Sequence, residues 1–297
     1  VSSLYLKESI TLLTNKANIQ KWDVGASISS DSSVQVDKGI AKQLKSAQRN
    51  SLTIRVWNND GLVGIASTSD ITERGLQVAL EAAYQASYFG NPNDIPDFSS
   101  EAKSKLPKIN RTLCNQLGIK YLFSKLKKAE MDLLLSHNSI KSVPYNGISE
   151  SNYERVYINS DGAFRSVKRT HASIYLFART EDLERKPRSS GAIRVASGAD
   201  QLDIDECIKE ASLKTISHLN YEPINTGKYL VCFKPEAFLD LMNAFSNLFN
   251  ARSILDGLSL SNKDSIGQRL SVPFFNLDDD GLHEKNIGAV PFDGEGT

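Results

Sequence analysis

The residue types that most often carry out chemistry are sparse in this sequence. None of the four histidines has a second histidine or a cysteine at the spacing of a metal site; they are His137, His171, His218 and His283. The acidic run at residues 278–281 resembles the start of a calcium loop, but the glutamate that closes an EF-hand is missing, which favours a charged turn. No P-loop, Rossmann fingerprint or nucleophile elbow is present. Motifs alone therefore indicate no active site.

The cysteines offer a second route to chemistry. Cys114, Cys207 and Cys232 are odd in number and far apart, a pattern that is typical of a reducing compartment and provides no disulfide framework. A hydrolase that uses one of these thiols stays an alternative. An activated thiolate needs a base or a helix N-terminus beside it, and no histidine is close to any of the three in the chain.

Bulk composition narrows the functional class. Of the 297 residues, 40% are hydrophobic and 24% are charged, which is typical of a soluble globular protein with one large or two ordinary domains. Lysine plus arginine and aspartate plus glutamate both number 35, so no excess of positive charge favours direct binding of nucleic acid. No apolar run approaches the roughly 20 residues that span a bilayer, and no signal-peptide pattern opens the chain. We therefore predict a cytoplasmic protein.

Hydrophobic periodicity predicts α+β structure in the first 222 residues. Apolar residues that alternate predict strands, and apolar residues that recur every three or four positions predict helices. An Asn/Asp/Gly turn at residues 58–61 predicts a hairpin, and capping boxes at Asp70–Glu73 and Asp203–Glu206 predict two helix starts. The predicted helices cover residues 4–13, 70–90, 117–135 and 203–218, and the predicted strands cover residues 22–28, 52–56, 62–66 and an antiparallel meander within 140–198. Residues 31–48 are ambiguous, and residues 91–110 are predicted to be a loop.

The stretch of residues 228–250 organises the second part of the chain. Residues 228–233 are an apolar run that predicts a strand, and Pro235 suits the first position of a helix because its missing N–H is no loss there. Apolar residues at spacings of three and four line one side of this helix: Phe238, Leu241, Met242, Phe245, Leu248 and Phe249. We predict an N-terminal α+β domain over residues 1–222, in which an antiparallel sheet packs against helices. Residues 223–297 are predicted to be the first part of a truncated, β-rich C-terminal domain, with exposed apolar side chains in residues 272–292.

The order of four motifs resembles the TldD/PmbA family. Residues 52–68 resemble its GVRV…G…GFAST hairpin, and the helix that begins near Asp70 follows as it does there. The sequence NSDG at residues 159–162 resembles the family's N-S/T-D/E-G turn, and PFDGEGT at residues 291–297 resembles its FDDEGT motif. The last match makes these family motif positions: Phe292, Asp293, Glu295, Gly296 and Thr297. Family members continue beyond this motif, and the chain begins without methionine, so we expect a piece of a longer protein.

The resemblance implies the non-catalytic branch of this family. TldD-like members carry a His-Glu-x-x-x-His helix that binds zinc and cleaves peptides, whereas PmbA/TldE-like members lack it and pair with a TldD subunit. Here Met242, Asn243 and Asn247 stand at the positions of that motif, and no histidine lies between His218 and His283. The resemblance therefore implies no catalytic or metal-binding residues in this chain. We also predict that Met242 is largely buried and that at least one of the two asparagine side chains borders a cleft.

The same resemblance implies partners and a process. It implies a cytosolic metallopeptidase complex in which a TldD-like partner holds zinc and in which peptides or unfolded small proteins are processed. No membrane and no direct contact with nucleic acid are expected. The family's usual naming provides an alternative, a regulator of DNA gyrase that acts through protein partners. Whether this chain is an enzyme by itself is left open.

Overall fold

A computed structural model of the chain describes residues 3–90, 97–109, 112–181, 186–283 and 286–297. The strands within these ranges are β1 (Lys21–Asp37), β2 (Ile40–Trp57), β3 (Val63–Thr68), β4 (Ile140–Asn159), β5 (Phe164–Thr180) and β6 (Ser189–Ala196). They form one antiparallel sheet in the order β3-β2-β1-β4-β5-β6. The predicted hairpin is formed by β2 and β3, and the predicted meander by β4, β5 and β6.

The helices confirm the predicted α+β class. Those in the described residues are α1 (Ser3–Lys16), α2 (Glu73–Ser87), α3 (Gly118–Leu135), α4 (Ile204–Ser217), α5 (Pro235–Ala244) and α6 (Ala251–Leu255). Short 3₁₀ turns occupy Ser100–Lys103, Ala199–Gln201, Ser246–Phe249 and Lys263–Ser265. Residues 91–96 and 110 of the predicted loop lie outside the described residues. No helix within the described ranges combines the length and the apolar character needed to cross a membrane.

The two predicted capping boxes behave differently. Asp203 caps α4 as predicted, because its side chain accepts a hydrogen bond from the backbone N–H of Glu206 at 3.0 Å. The predicted cap at Asp70 is wrong, since Thr72 caps α2 by accepting from the N–H of Gly75 at 3.3 Å. The Asp70 carboxylate accepts instead from the N–H of Thr72 at 2.9 Å. This local turn competes with the helix and delays its start.

The ambiguous residues 31–48 form the far arms of the hairpin between β1 and β2. The chain reverses at Lys38 and Gly39, whose φ angles of 52° and 75° are both left-handed. The buried carboxylate of Glu130 accepts hydrogen bonds from the N–H groups of both residues, at 3.0 and 2.7 Å. Because α3 provides this carboxylate and also covers Val34 and Val36, a tertiary contact decides that the segment is a strand.

Two apolar clusters lie on the same face of the sheet. One contains Val24 and Ala26 of β1 and is covered by α1 and α2, and the other contains Val34 and is covered by α3 and α4. These β1 positions differ by even numbers, so their side chains point to the same side. We call this side the helix face and the other side the opposite face.

The chain divides into two compact units. The first consists of Val1–Tyr221 together with Asp280–Thr297, and the second consists of Glu222–Asp279. No strand occurs in the second unit, so the predicted strand at residues 228–233 is wrong. A strand needs a partner with which to exchange backbone hydrogen bonds, and the rest of this unit is helical or irregular. The β-rich C-terminal domain stays a prediction.

The helix of the second unit begins as predicted. Pro235 occupies the first position of α5, and the rings of Phe238 and Phe275 meet edge to face with 5.6 Å between their centroids. Val272 and Phe274 are exposed, in line with the expectation for this region.

Candidate functional site

The terminal family motif lies on the opposite face of the sheet, within the first unit. The side chain of Phe292 is buried and contacts Tyr157 of β4, together with Ala102 and Ala163. The guanidinium of Arg155 stacks over the Phe292 ring, 5.6 Å from its centroid. Burial of a phenylalanine side chain contributes about 1.5–3 kcal/mol, so Phe292 anchors the motif to the sheet.

A guanidinium group joins the motif to the sheet. The Nε of Arg55 in β2 donates to both carboxylate oxygens of Asp23 in β1, at 2.8 and 3.1 Å, and its Nη2 donates to Asp23 Oδ2. Its Nη1 donates to Glu295 at 3.2 Å. Asp23 and Arg55 are cross-strand neighbours, and their side chains are 3% and 19% exposed. The pairing is therefore largely removed from water, and the carboxylate of Glu295 extends it to the motif.

The environment of this network raises the pKa values of Arg55 and Tyr157. The hydrogen bond to Asp23 raises the pKa of Arg55 above its usual value, against the opposing effect of burial. Burial, followed by the charge of Asp23, raises the pKa of Tyr157 to about 12. The Tyr157 hydroxyl therefore stays protonated at neutral pH and donates to Asp23 Oδ2 at 3.2 Å. A phenol in this state acts as a hydrogen-bond donor and not as a base.

A second arginine holds the end of the motif. Arg165 of β5 is buried, and its Nε donates to the carbonyl oxygen of Gly296 at 3.2 Å while its Nη2 donates to that of Glu101 at 2.8 Å. Asp293 closes the turn, since its carboxylate accepts from the N–H groups of Glu295 and Thr297, each at 2.9 Å.

Gly296 is required where the motif meets the sheet. Its φ of +82° lies in the left-handed region, and a Cβ built on it would lie 2.5 Å from Cδ1 of Tyr157. The conformation and the close contact both favour glycine at this position.

The geometry of this site is that of an anchor. A cavity of about 320 Å³ remains between the motif and the sheet, and its lining includes Asp23, Arg55, Tyr157 and Glu295. The charged groups of this lining are engaged with one another. Within the described residues, no group of three or more His, Cys, Asp or Glu side chains could hold a metal ion. The contacts of Phe292, Glu295 and Gly296 with the sheet therefore position the terminal motif.

The positions of the family's zinc motif lie in the second unit, with Met242 and Asn243 on α5 and Asn247 in the 3₁₀ turn Ser246–Phe249 that follows it. Asn243 and Asn247 are exposed, and Met242 is half-buried. Met242 is therefore shielded in part from water, although α5 has no fully buried residue. A thioether and two neutral carboxamides do not fit zinc, which in proteins takes imidazole, thiolate or carboxylate ligands. No step is therefore assigned to a metal in this chain.

The thiol alternative is not favoured by the environments of the cysteines. Cys207 is buried against the sheet, and burial raises its pKa to about 11, which disfavours the thiolate. Cys114 is half-buried and Cys232 is exposed. Burial, followed by the charge of Arg169, lowers the pKa of His171.

Sequence reasoning finds the motif but not the residues that receive it. The residues that receive the motif lie in segments of alternating polar and apolar residues, where a polar side chain ordinarily faces solvent: Asp23, Arg55, Tyr157 and Arg165. The detectable signal is that Asp23, Arg55 and Tyr157 each lie between two apolar neighbours, whereas Arg165 is flanked by Phe164 and Ser166 and gives no such signal. The register of the sheet places all four on the same face. The register of the sheet is a property of the tertiary structure and cannot be read from the sequence.

Comparison with protein families identifies three consecutive regions. Residues 22–87 match domain 1 of the PmbA/TldA metallopeptidases, residues 96–219 match their central domain, and residues 226–297 match their C-terminal domain. Together these matches cover most of the chain. A comparison with curated proteins finds no significant match.

Solved structures share this fold. A Thermotoga maritima MSB8 protein, provisionally named a modulator of a DNA gyrase, has a TM-score of 0.85 and 21% identity over 100% of this chain and 67% of its own. A Bacteroides thetaiotaomicron VPI-5482 protein with a similar provisional name has a TM-score of 0.70 and 14% identity over 84% of this chain and 58% of its own. TldE from Thermococcus kodakarensis has a TM-score of 0.56 and 15% identity over 72% of this chain and 47% of its own. At these identities the likeness shows the fold, and the chain spans only part of each relative.

Proposed function

Because the chain belongs to the PmbA/TldD metallopeptidase family, we propose that it is a TldE-like, non-catalytic subunit of a TldD/TldE-type peptidase complex. Its partner in this proposal is a TldD-like subunit that holds the zinc ion. The substrates are peptides or unfolded small proteins. This chain spans only part of each solved relative. The activity, substrates and partner of the whole protein therefore belong to the proposal.

The observation that carries the proposal is the chemistry of α5. The family's zinc motif would need imidazole or carboxylate ligands at its three positions, and this chain has Met242 and Asn243 on α5 and Asn247 in the 3₁₀ turn that follows. The absence of histidine between His218 and His283 means that no shift of register along the helix restores the histidine pair of the family's motif. A subunit of this kind contributes through its surfaces and not through a metal.

Reconstitution with a TldD-like protein tests this function. The two purified proteins are mixed, their association is measured by size-exclusion chromatography, and peptide cleavage is measured for each alone and for the mixture. We expect co-elution, zinc in the TldD-like protein, and cleavage that depends on that zinc. If this chain alone bound zinc stoichiometrically and cleaved peptides, the proposal would be overturned.

A second candidate function follows from the names of two solved relatives, which are provisionally called modulators of DNA gyrase. We propose it only as an indirect action through protein partners. The equal numbers of acidic and basic residues, 35 of each, supply no general attraction to a polyanion. Binding of duplex DNA with a steep dependence on salt concentration would favour a direct action instead.

The proposed location is the cytoplasm, where the widely spaced cysteines would remain reduced.

A further inference from the structure

A cavity of about 500 Å³ lies on the helix face of the sheet. Along β1 it occupies residues 28–30, between Ala26 of one apolar cluster and Val34 of the other. Its walls include Ile71 and the segment of residues 113–115. This volume lies within the roughly 300–1,000 Å³ that small-molecule sites occupy in proteins.

The register of the sheet places two rows of side chains on the floor of this cavity. One row consists of Gln48, Ser30, Asn152 and Thr170, which are cross-strand neighbours on β2, β1, β4 and β5. Ser30 has the same parity along β1 as Ala26 and Val34, so this row points to the helix face.

The second row consists of Asn50, Ile28, Glu154 and Lys168 on the same four strands. Ile28 is its apolar member. A sheet face that packs against helices normally carries apolar side chains, and here the two clusters are separated by a polar floor. This floor suits a polar ligand.

The carboxylate of Glu154 is the most distinctive group in the cavity. Its side chain is 12% exposed, and its Oε1 accepts a hydrogen bond from the Ser166 hydroxyl at 2.9 Å. Its Oε2 is 3.9 Å from the Nζ of Lys168, a separation too long for a hydrogen bond, and the Lys168 side chain is 65% exposed. Lys168 therefore forms a long ion pair with Glu154 but donates no hydrogen bond to it, and a shielded carboxylate is stabilised further by a charged donor at hydrogen-bond distance. A cation that entered the cavity would provide it.

The neutral groups around Glu154 indicate the rest of the ligand. The carboxamides of Gln48, Asn50 and Asn152 are each able both to donate and to accept hydrogen bonds. The peptide group offers the same combination of one donor and one acceptor whatever its side chains. A hard metal ion is usually bound by several oxygen ligands, of which some are carboxylates. Among the residues that the structure describes, the lining of this cavity has a single carboxylate, that of Glu154, which does not favour a metal ion.

We propose that this cavity binds the amino-terminal end of a short peptide. The α-ammonium group, which is charged at neutral pH, pairs with Glu154. The first peptide groups bond to the carboxamides of Asn50 and Asn152. The choice of a peptide rests on the proposed function, because a peptidase complex supplies such ends, whereas the cavity and its carboxylate do not depend on it.

Calorimetric titration of this chain, without any partner, tests the inference. The probes are trialanine with a free amino terminus and N-acetyl-trialanine. We expect the free peptide to bind about tenfold or more tightly, since a charged hydrogen bond contributes about 1.5–3 kcal/mol. The variant Glu154→Gln keeps an acceptor for Ser166 and should remove this preference. Asn152→Leu should weaken the binding of both peptides.

The matched control is Glu81→Gln, which removes a carboxylate from the lining of a different cavity, of about 430 Å³, on α2. It should leave the preference for the free amino terminus unchanged. No binding of trialanine by the folded chain at millimolar concentration, equal affinity for both peptides, or an equal effect of the Glu81 and Glu154 variants would each overturn the inference. Folding of each variant is checked by circular dichroism. Because the titration needs no partner, its outcome is separate from that of the reconstitution with a TldD-like protein.

Discussion

The two faces of the sheet treat buried charge in different ways. On the opposite face, Asp23 meets Arg55 at hydrogen-bond distance, and Glu295 from the terminal motif joins the same guanidinium group. On the helix face, the side chain of Glu154 is 12% exposed, and its ion pair with Lys168 has a nitrogen–oxygen distance of 3.9 Å. Both regions adjoin a cavity, but only the first has its charges joined by hydrogen bonds within the chain.

This difference separates an anchor from a binding site. Where a chain supplies close partners for its buried charges, the interactions hold two segments together, as Arg55 and Arg165 hold the terminal motif. Where a shielded carboxylate faces an open cavity without a close cation, a ligand can supply the missing charge. Replacements of residues on the opposite face, compared with a replacement on the helix face, test this assignment.

The largest effect is expected when Arg55 is replaced by methionine. Asp23 would remain buried without its ionic partner, which costs about 3–5 kcal/mol when one member of a buried pair is removed. The free energy of unfolding in urea measures this loss. The corresponding change on the helix face, Lys168→Met, should cost less than about 1 kcal/mol, because this lysine is largely exposed and distant from its carboxylate. Equal losses for the two variants would contradict the comparison.

A smaller and more local effect is expected for Gly296→Ala. The new Cβ would collide with the ring of Tyr157 and would stand at a left-handed φ, which together cost about 1–3 kcal/mol. The motif should therefore detach more often, and hydrogen exchange at residues 292–297 should become faster. Gly61→Ala is the control, since Gly61 has a similar φ of +75° and no atom within 4 Å of its added Cβ. That variant should leave exchange at residues 292–297 unchanged.

The smallest effect at neutral pH is expected for Tyr157→Phe, which removes one hydrogen bond to Asp23 and should cost about 0.5–1.5 kcal/mol. The pH dependence is more diagnostic. The pKa of Tyr157 is about 12 in the folded protein and about 10 for an unperturbed tyrosine, so the folded state binds this proton more tightly. Its contribution to stability is therefore present below pH 10 and is lost as the pH rises towards 12. The gap in unfolding free energy between wild type and variant should narrow over this interval, and parallel curves would contradict the assignment.

The local elements of the first unit could be predicted from the sequence. The spacing of apolar residues in α3 and the turn at residues 58–61 depend on neighbours within a few positions, and both were found where expected. The cap at Asp70 is the local exception, since a turn within the same few residues displaced it. Where a distant group decides the outcome, the sequence left the structure open or predicted it wrongly. Residues 31–48, which were ambiguous, are strands beneath α3, and the predicted strand at residues 228–233 is irregular because it has no partner strand.

The candidate site divides in the same way. The sequence alone determined the family motif and the absence of a His-Glu-x-x-x-His sequence at residues 242–247, because both are matters of residue type and order. The tertiary structure decided what the motif touches: Arg55 and Glu295 are 240 residues apart in the chain, and Glu154 and Lys168 face one cavity only because β4 and β5 pair in one register. Residue type decides which chemistry is available, whereas the distance between charges and their removal from water, which decide how strongly they interact, exist only once the sheet has formed.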